Sequence, residues 1–268
     1  MIGIIGCGNM GEAIIKGLLK KGLYPPSEII ATDVRPERLK EIAAGCKVET
    51  TSNNQEAVER ADIVILAVKP QVMDGVLEKI APKLKEKLII SIAAGVRLER
   101  IETLLPKARS IRVMPNTPGL IGCGISSLSC GSHCLRQDEE TASRIFSALG
   151  DVVKVEEKLM DAVCALSGSG PAYIFLIIES LIAAGVKMGL SYDVAKRLVL
   201  ATVEGSAKLV KETGKHPAEL RDNVTSPGGT TASALYVMEE EGLRGIIQKA
   251  VLAAEKRAKE LNESQGKG

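Results

Sequence analysis

The chain opens MIGIIGCGNMGEAIIKG, and no other stretch restricts its folding as much. Gly6, Gly8 and Gly11 form a G-x-G-x-x-G that follows a strand-like run, IGII, and leads into a helix-like run, EAIIKGLL. The spacing alone is weak. Its context, a βαβ unit that closes at IIATD, makes it specific. Each glycine has a physical task in that setting. Gly6 permits the tight turn, Gly8 lets backbone approach a pyrophosphate, and Gly11 lets helix and strand pack closely. The free N–H groups at the helix start then face negative phosphate.

The same alternation continues beyond the first unit. Strands are expected over Met1–Ile5, Glu28–Thr32, Ile63–Val68, Leu88–Ile92 and Ser110–Met114, with helical patterns between them. This predicts a parallel sheet with helices on both faces. Gly122–Cys130 and Asp151–Val155 read as two further strands, joined by a helix over Asp138–Leu149. After about residue 156 strand signals stop. Helices are expected over Pro171–Met188, Tyr192–Thr213, Pro217–Asn223, Thr230–Glu241 and Leu243–Asn262, with Ser191 as an N-cap. The run PAYIFLIIESLIAAGVKMG is apolar nearly all round, so it belongs in a core or between subunits. The expected class is α/β: an N-terminal Rossmann-type doubly wound sheet over residues 1–156, then an all-α domain over residues 157–268 whose apolar helix suggests an intertwined dimer.

Composition narrows the function classes. Aromatics are 2% of 268 residues with no Trp, so the cores must be aliphatic and base stacking on single strands is disfavoured. A net charge of +2 gives no electrostatic reason for nucleic acid or an anionic membrane. No basic leader precedes the first strand, and no apolar run reads as long enough to cross a bilayer, so a cytoplasmic location is expected. The six cysteines lack a repeated spacing. CGSHC (Cys130, His133, Cys134) is the one place to suspect metal; without a second paired motif none is expected, and its role stays open.

Asp33 ends the second strand, where an acidic residue meets ribose hydroxyls and favours NADH; Arg35 suits a 2′-phosphate and favours NADPH. Both readings stay open. Ligands bind beyond the carboxyl ends of parallel strands, so AVKP (Ala67, Val68, Lys69, Pro70), AAGV (Ala93, Ala94) and MPNTP should line the same cleft. Lys69 and Asn116 are the polar groups expected near a nicotinamide.

Taken together, IGCGNMG, LAVKPQ, SIAAGV, RVMPNTP, LSGSGPAY, GVKMGL and DNVTSPGGTT closely resemble the pyrroline-5-carboxylate reductase family over nearly the whole chain. The resemblance implies NAD(P)H-dependent reduction of a cyclic imine to L-proline, the last step of proline biosynthesis. It also implies a homodimer that often assembles further into a homodecamer. By motif, the cofactor positions are Gly6, Cys7, Gly8, Asn9, Met10 and Gly11, then Asp33 to Arg35, Asn54 and Ala67–Pro70. The substrate positions fall in Ser226–Thr231. Members often use NADPH, and Asp33 leaves NADH open here.

The resemblance gives SPGGTT a purpose. The motif holds no Arg or Lys, so backbone N–H groups bared by Gly228 and Gly229 are expected to hold the substrate carboxylate. Thr230 and Thr231 add hydroxyls and can cap the following helix. LSGSGPAY repeats the device, with Ser169 between two glycines ahead of a helix opening at Pro171. A protonated imine is already electrophilic, which fits a chain with only His133 and His216. Thr231 is the expected catalytic residue, bonding the ring nitrogen, with Lys69 a weaker alternative as proton donor. Two other readings compete: a 3-hydroxyacid dehydrogenase using Lys187, and a non-catalytic NAD(P) sensor.

Overall fold

The computed structural model describes residues 1–84 and 86–265, the last three by backbone alone. In chain order come β1 (Ile2–Ile5), α1 (Asn9–Lys20), β2 (Ile29–Thr32), α2 (Pro36–Cys46), β3 (Glu49–Thr51), α3 (Asn54–Arg60), β4 (Ile63–Leu66) and α4 (Met73–Ile80). Then follow β5 (Leu88–Ser91), α5 (Leu98–Leu104), β6 (Arg109–Met114), β7 (Gly124–Cys130), α6 (Arg136–Phe146) and β8 (Gly150–Lys154). Among the described residues, eight strands form one sheet, ordered β3-β2-β1-β4-β5-β6-β7-β8.

The order reverses between β1 and β4, which opens a crevice at their carboxyl ends. Every residue of β1, β2 and β5 is buried, as strands covered on both faces require. Period two sorts their side chains. Ile4, Ile65 and Ile90 join Ile14, Ile15, Leu18 and Phe146 in one cluster. Ile5, Leu66 and Ile89 join Leu77 and Ile101 in another. Both clusters are almost wholly aliphatic, as the scarcity of aromatics dictates.

Two departures from the expected sheet have plain causes. β3 has three residues, ETT, none buried, and so carries no apolar signal to read. β7 runs antiparallel to β6. The link between them is a short 3₁₀ turn ending at Gly122 with φ +78°, too short for a parallel crossover. β8 returns parallel to β7 after α6.

Beyond the sheet lie α7 (Met160–Val163), α8 (Gly170–Lys187), α9 (Tyr192–Thr213), α10 (Pro217–Asn223), α11 (Thr230–Glu240) and α12 (Leu243–Gln265). The contacts divide the chain into two compact units: Met1–Ser169 with the chain from Ala254 onward, and Gly170–Ala253. A π turn over Cys164–Gly168 joins α7 to α8, so the helical course runs from Glu157 to Lys187. That corrects the expectation that no apolar run could cross a bilayer. By length and composition alone this course is long and apolar enough to cross one. Within the second unit α8 and α9 approach closely. A Cβ on Gly185 would lie 2.9 Å from the Ala195 Cβ.

Candidate active site

The crevice is a cleft of about 1080 Å³ walled by the glycine loop, the end of β2, Asn54 and the segment after β4. Gly6 sits at φ +98°, and a Cβ there would meet the Ala67 carbonyl oxygen at 2.7 Å. A Cβ on Gly11 would lie 2.1 Å from the Gly6 oxygen, so the helix could not approach the strand this closely. Gly8 is different: nothing stands within 4 Å of its missing Cβ. Its bare backbone lines the cleft. Gly8 is also the N-cap of α1 and makes no side-chain cap, while helix geometry leaves the first-turn N–H groups of Asn9, Met10 and Gly11 without intrahelical partners. Open space beside uncapped amides fits a pyrophosphate.

At the adenosine end the charges are already arranged. Asp33 accepts from the Cys7 N–H and the Arg35 N–H, each at 3.0 Å. The Arg35 guanidinium adds bonds to both Asp33 oxygens, at 3.0 and 3.3 Å. Burial pushes the Asp33 carboxyl up, but the bonds from Arg35 and Cys7 outweigh it and hold the group below the ordinary carboxylate range. The Asn54 Oδ1 accepts from the buried Thr32 hydroxyl at 2.6 Å, which leaves its amide nitrogen for the cleft.

Of the predicted cofactor residues, Gly6, Gly8, Asn9, Asp33, Arg35, Asn54, Ala67, Val68 and Lys69 line this cleft. The others stand elsewhere. Cys7 is fully buried, and burial next to Asp33 pushes its thiol up to about 12, so only its backbone borders the loop. Met10 packs against the core beside buried Gly11. Pro70 opens a short 3₁₀ turn. Ala93 is buried, and Ala94 is exposed outside the cleft lining. The Asn116 side chain accepts from the Ile125 N–H at 3.0 Å, tying β6 to β7. Sequence reasoning missed Thr32, Arg38 and Glu41 in the lining. Their signal was positional: Thr32 ends β2, and Arg38 follows Arg35 by one helical turn.

The second unit holds SPGGTT. The Gly229 N–H bonds the Ser226 carbonyl at 3.0 Å, with Pro227 and Gly228 (φ +66°) at the centre of the turn. This matches a type II turn. Gly229 is the N-cap of α11 and has no side-chain cap, so Thr230 and Thr231 lie in the first helical turn rather than capping it. The LSGSG segment departs further from expectation. Leu166–Gly168 lie in the π turn, with the Ser169 N–H bonded to the Cys164 carbonyl at 2.8 Å, and Gly170 continues directly into α8, so no free helix start exists there. A π bond spans one extra residue, and a Cβ on Gly168, the one glycine in this turn, would meet the Met114 Cε at 2.7 Å. Ser191 takes the N-cap position of α9 without a cap bond.

The remaining candidates have local duties. His216 caps α10, its Nδ1 accepting from the Ala218 N–H at 3.2 Å. Lys187 is exposed in the last turn of α8, where a cation complements the helix dipole. The Cys134 thiol donates to the Ser110 carbonyl at 2.9 Å, and the described residues contain no group of three or more His, Cys, Asp or Glu that could hold a metal.

Two family models match consecutive parts of the chain. NADP oxidoreductase, coenzyme F420-dependent, covers residues 1–95; pyrroline-5-carboxylate reductase dimerisation covers residues 157–261. The chain is 45% identical to a pyrroline-5-carboxylate reductase of Synechocystis over 98% of both chains. It is 44% identical to one of Methanosarcina acetivorans, again over 98% of each. Among solved structures, a pyrroline-5-carboxylate reductase from Coxiella burnetii superposes with a TM-score of 0.92 at 40% identity over 97% of each chain. That of Plasmodium falciparum, with NADP bound, gives 0.89 at 35% identity over 97% of each. Full-length identity and shared architecture agree with the motifs: the chain belongs to the pyrroline-5-carboxylate reductase family.

Proposed function

We propose that this protein reduces 1-pyrroline-5-carboxylate to proline with a nicotinamide coenzyme. The observation that carries this reading is the pairing, on one chain, of an open glycine cradle and the family's dimerisation region. When bound, the reduced coenzyme supplies hydride to the imine carbon. The chain's own residues bind and orient. The Gly8–Gly11 segment holds the pyrophosphate, Asn54 and Arg35 border the adenosine ribose, and Lys69 lies toward the nicotinamide.

NADPH fits the adenosine end better than NADH. Asp33 already accepts three sets of N–H bonds and faces an arginine, so little of its charge is left to repel a 2′-phosphate. The exposed Arg35 and the Asn54 amide are both donors suited to such a group. The NADP-bound Plasmodium relative points the same way.

In the helical region, main-chain N–H groups beside the turn bind the substrate carboxylate: those of Gly228, Thr230 and Thr231, since the Gly229 N–H is taken by the Ser226 carbonyl. The Thr231 hydroxyl orients the ring nitrogen. Residues 1–156 form the coenzyme-binding domain and residues 157–268 the dimerisation and substrate-binding domain. The active species is a homodimer in the cytoplasm, with the decamer a further assembly of dimers.

Following loss of reduced-nicotinamide absorbance with pyrroline-5-carboxylate tests this reading. Stoichiometric proline formation, faster with NADPH than with NADH, is expected. Coenzyme binding without oxidation would leave a sensor, and oxidation only by a 3-keto acid would indicate a hydroxyacid dehydrogenase.

A further inference from the structure

The glycine loop contains a hold that neither the fingerprint nor the family motif specifies. Arg38, on α2, reaches back to the loop, and its Nε donates to the Cys7 carbonyl at 2.6 Å. The same guanidinium donates to Glu41 at 2.8 Å and to Glu12 in the first turn of α1. The arginine side chain is only 16% exposed. One planar fork therefore ties the loop, α1 and α2 together. On the other side of Cys7, its N–H is taken by Asp33 at 3.0 Å.

The consequence follows from peptide geometry. The Cys7 carbonyl and the Gly8 N–H belong to one planar trans unit and point in opposite directions. Fixing the carbonyl fixes the amide. Gly8 has no Cβ and nothing within 4 Å of where one would stand, so rotation of this peptide meets little steric resistance. Unheld, it could present its carbonyl oxygen to an anion in place of its N–H.

We infer that Arg38 is a positioning residue for coenzyme binding. Held by Glu12 and Glu41, it locks the Cys7–Gly8 peptide with its N–H available to the pyrophosphate. This rests on the reading that the cleft holds a nicotinamide dinucleotide. Acting through the loop, Arg38 serves NADH and NADPH alike; acting directly on a 2′-phosphate, it would serve NADPH alone.

The test is to titrate NADPH and NADH, by nicotinamide fluorescence, into the wild-type protein and the variants Arg38→Met, Arg38→Lys and Glu12→Gln. Both Kd values should rise about tenfold in Arg38→Met, by the same factor within twofold. Arg38→Lys should recover only part of this loss, because one ammonium cannot serve three acceptors in fork geometry. Glu12→Gln, which leaves Arg38 less firmly held, should weaken both coenzymes equally by about threefold. At saturating coenzyme, kcat and the KM for pyrroline-5-carboxylate should stay within twofold of wild type. A loss confined to NADPH, or unchanged Kd values in all three variants, overturns the inference. Should Arg38→Met not fold, the equal effect of Glu12→Gln decides alone. Wild-type protein that binds neither coenzyme would overturn the reading of the cleft itself.

Discussion

In the sheet unit, Ile2, Ile4, Ile15, Ile30 and Ile65 are covered completely by the chain's own helices. In the helical unit, Phe175, Leu176 and Tyr236 are each more than 60% exposed. Ile182 and Ala195 are the only hydrophobic residues of that unit that are buried, among those described. The same aliphatic composition thus finishes one unit and leaves the other uncovered. Exposed apolar side chains on this scale mark a place where a protein or a membrane packs. The match of residues 157–261 to a dimerisation family supports a second copy in that place. The sheet unit buries its own core, whereas the helical unit leaves most of its apolar side chains exposed in a single chain.

The largest effect is expected from breaking the helical side. The double variant Phe175→Asp, Leu176→Asp places charge on the uncovered face of α8. Light scattering should then give the monomer mass, and turnover should fall more than about 100-fold. Retained self-association would show that this face is not the one covered. The matching test on the sheet side is Gly11→Val, whose Cβ would overlap the Gly6 carbonyl. NADPH affinity should drop by about 100-fold, roughly 2.7 kcal/mol, with the oligomeric mass unchanged. Loss of mass along with affinity would blur the two roles.

A smaller effect is expected inside the proposed substrate turn. Thr231→Ala should lower kcat by about 10- to 100-fold while the KM for NADPH changes less than about twofold. Unaltered turnover would remove Thr231 from catalysis. The smallest effect concerns pH. Asp33 is held below its ordinary value in the folded protein, so its contribution to stability is complete above about pH 4 and lost as pH falls through the lowered value. Thermal midpoints of wild type and Asp33→Asn should therefore differ by a constant amount from pH 6 to 8 and converge only in acid. A gap that varies across neutral pH would mean that Asp33 is not the held anion.

The sheet unit was more legible than the helical one, for a physical reason. Alternating apolar runs report burial directly, so β1, β2, β4, β5 and β6 could be placed from IGII, IIAT, IVIL, LIIS and RSIRVM. β3 escaped because its three residues are polar and partly exposed. The antiparallel turn of β7 depends on the length and φ of a connection, which periodicity does not encode. At the site, the three glycines could be read from their spacing; Gly6 and Gly11 each have a distinct steric reason, whereas Gly8 faces open space. Arg38 could not: a charge on a helix face reads as solvated until the fold brings it to the Cys7 carbonyl. In LSGSG, two glycines read as a glycine-rich helix start, because a π turn has no composition signature of its own. That α8 is apolar nearly all round was recognised from composition, which does not say what packs against it.

The most direct test of the whole account is isotopic. The protein would be incubated with pyrroline-5-carboxylate and NADPH carrying deuterium at the transferable position of C4, and the product examined by mass spectrometry. The account predicts L-proline heavier by one mass unit, with the label on the δ carbon. Unlabelled proline, or a labelled hydroxy acid in its place, would contradict it.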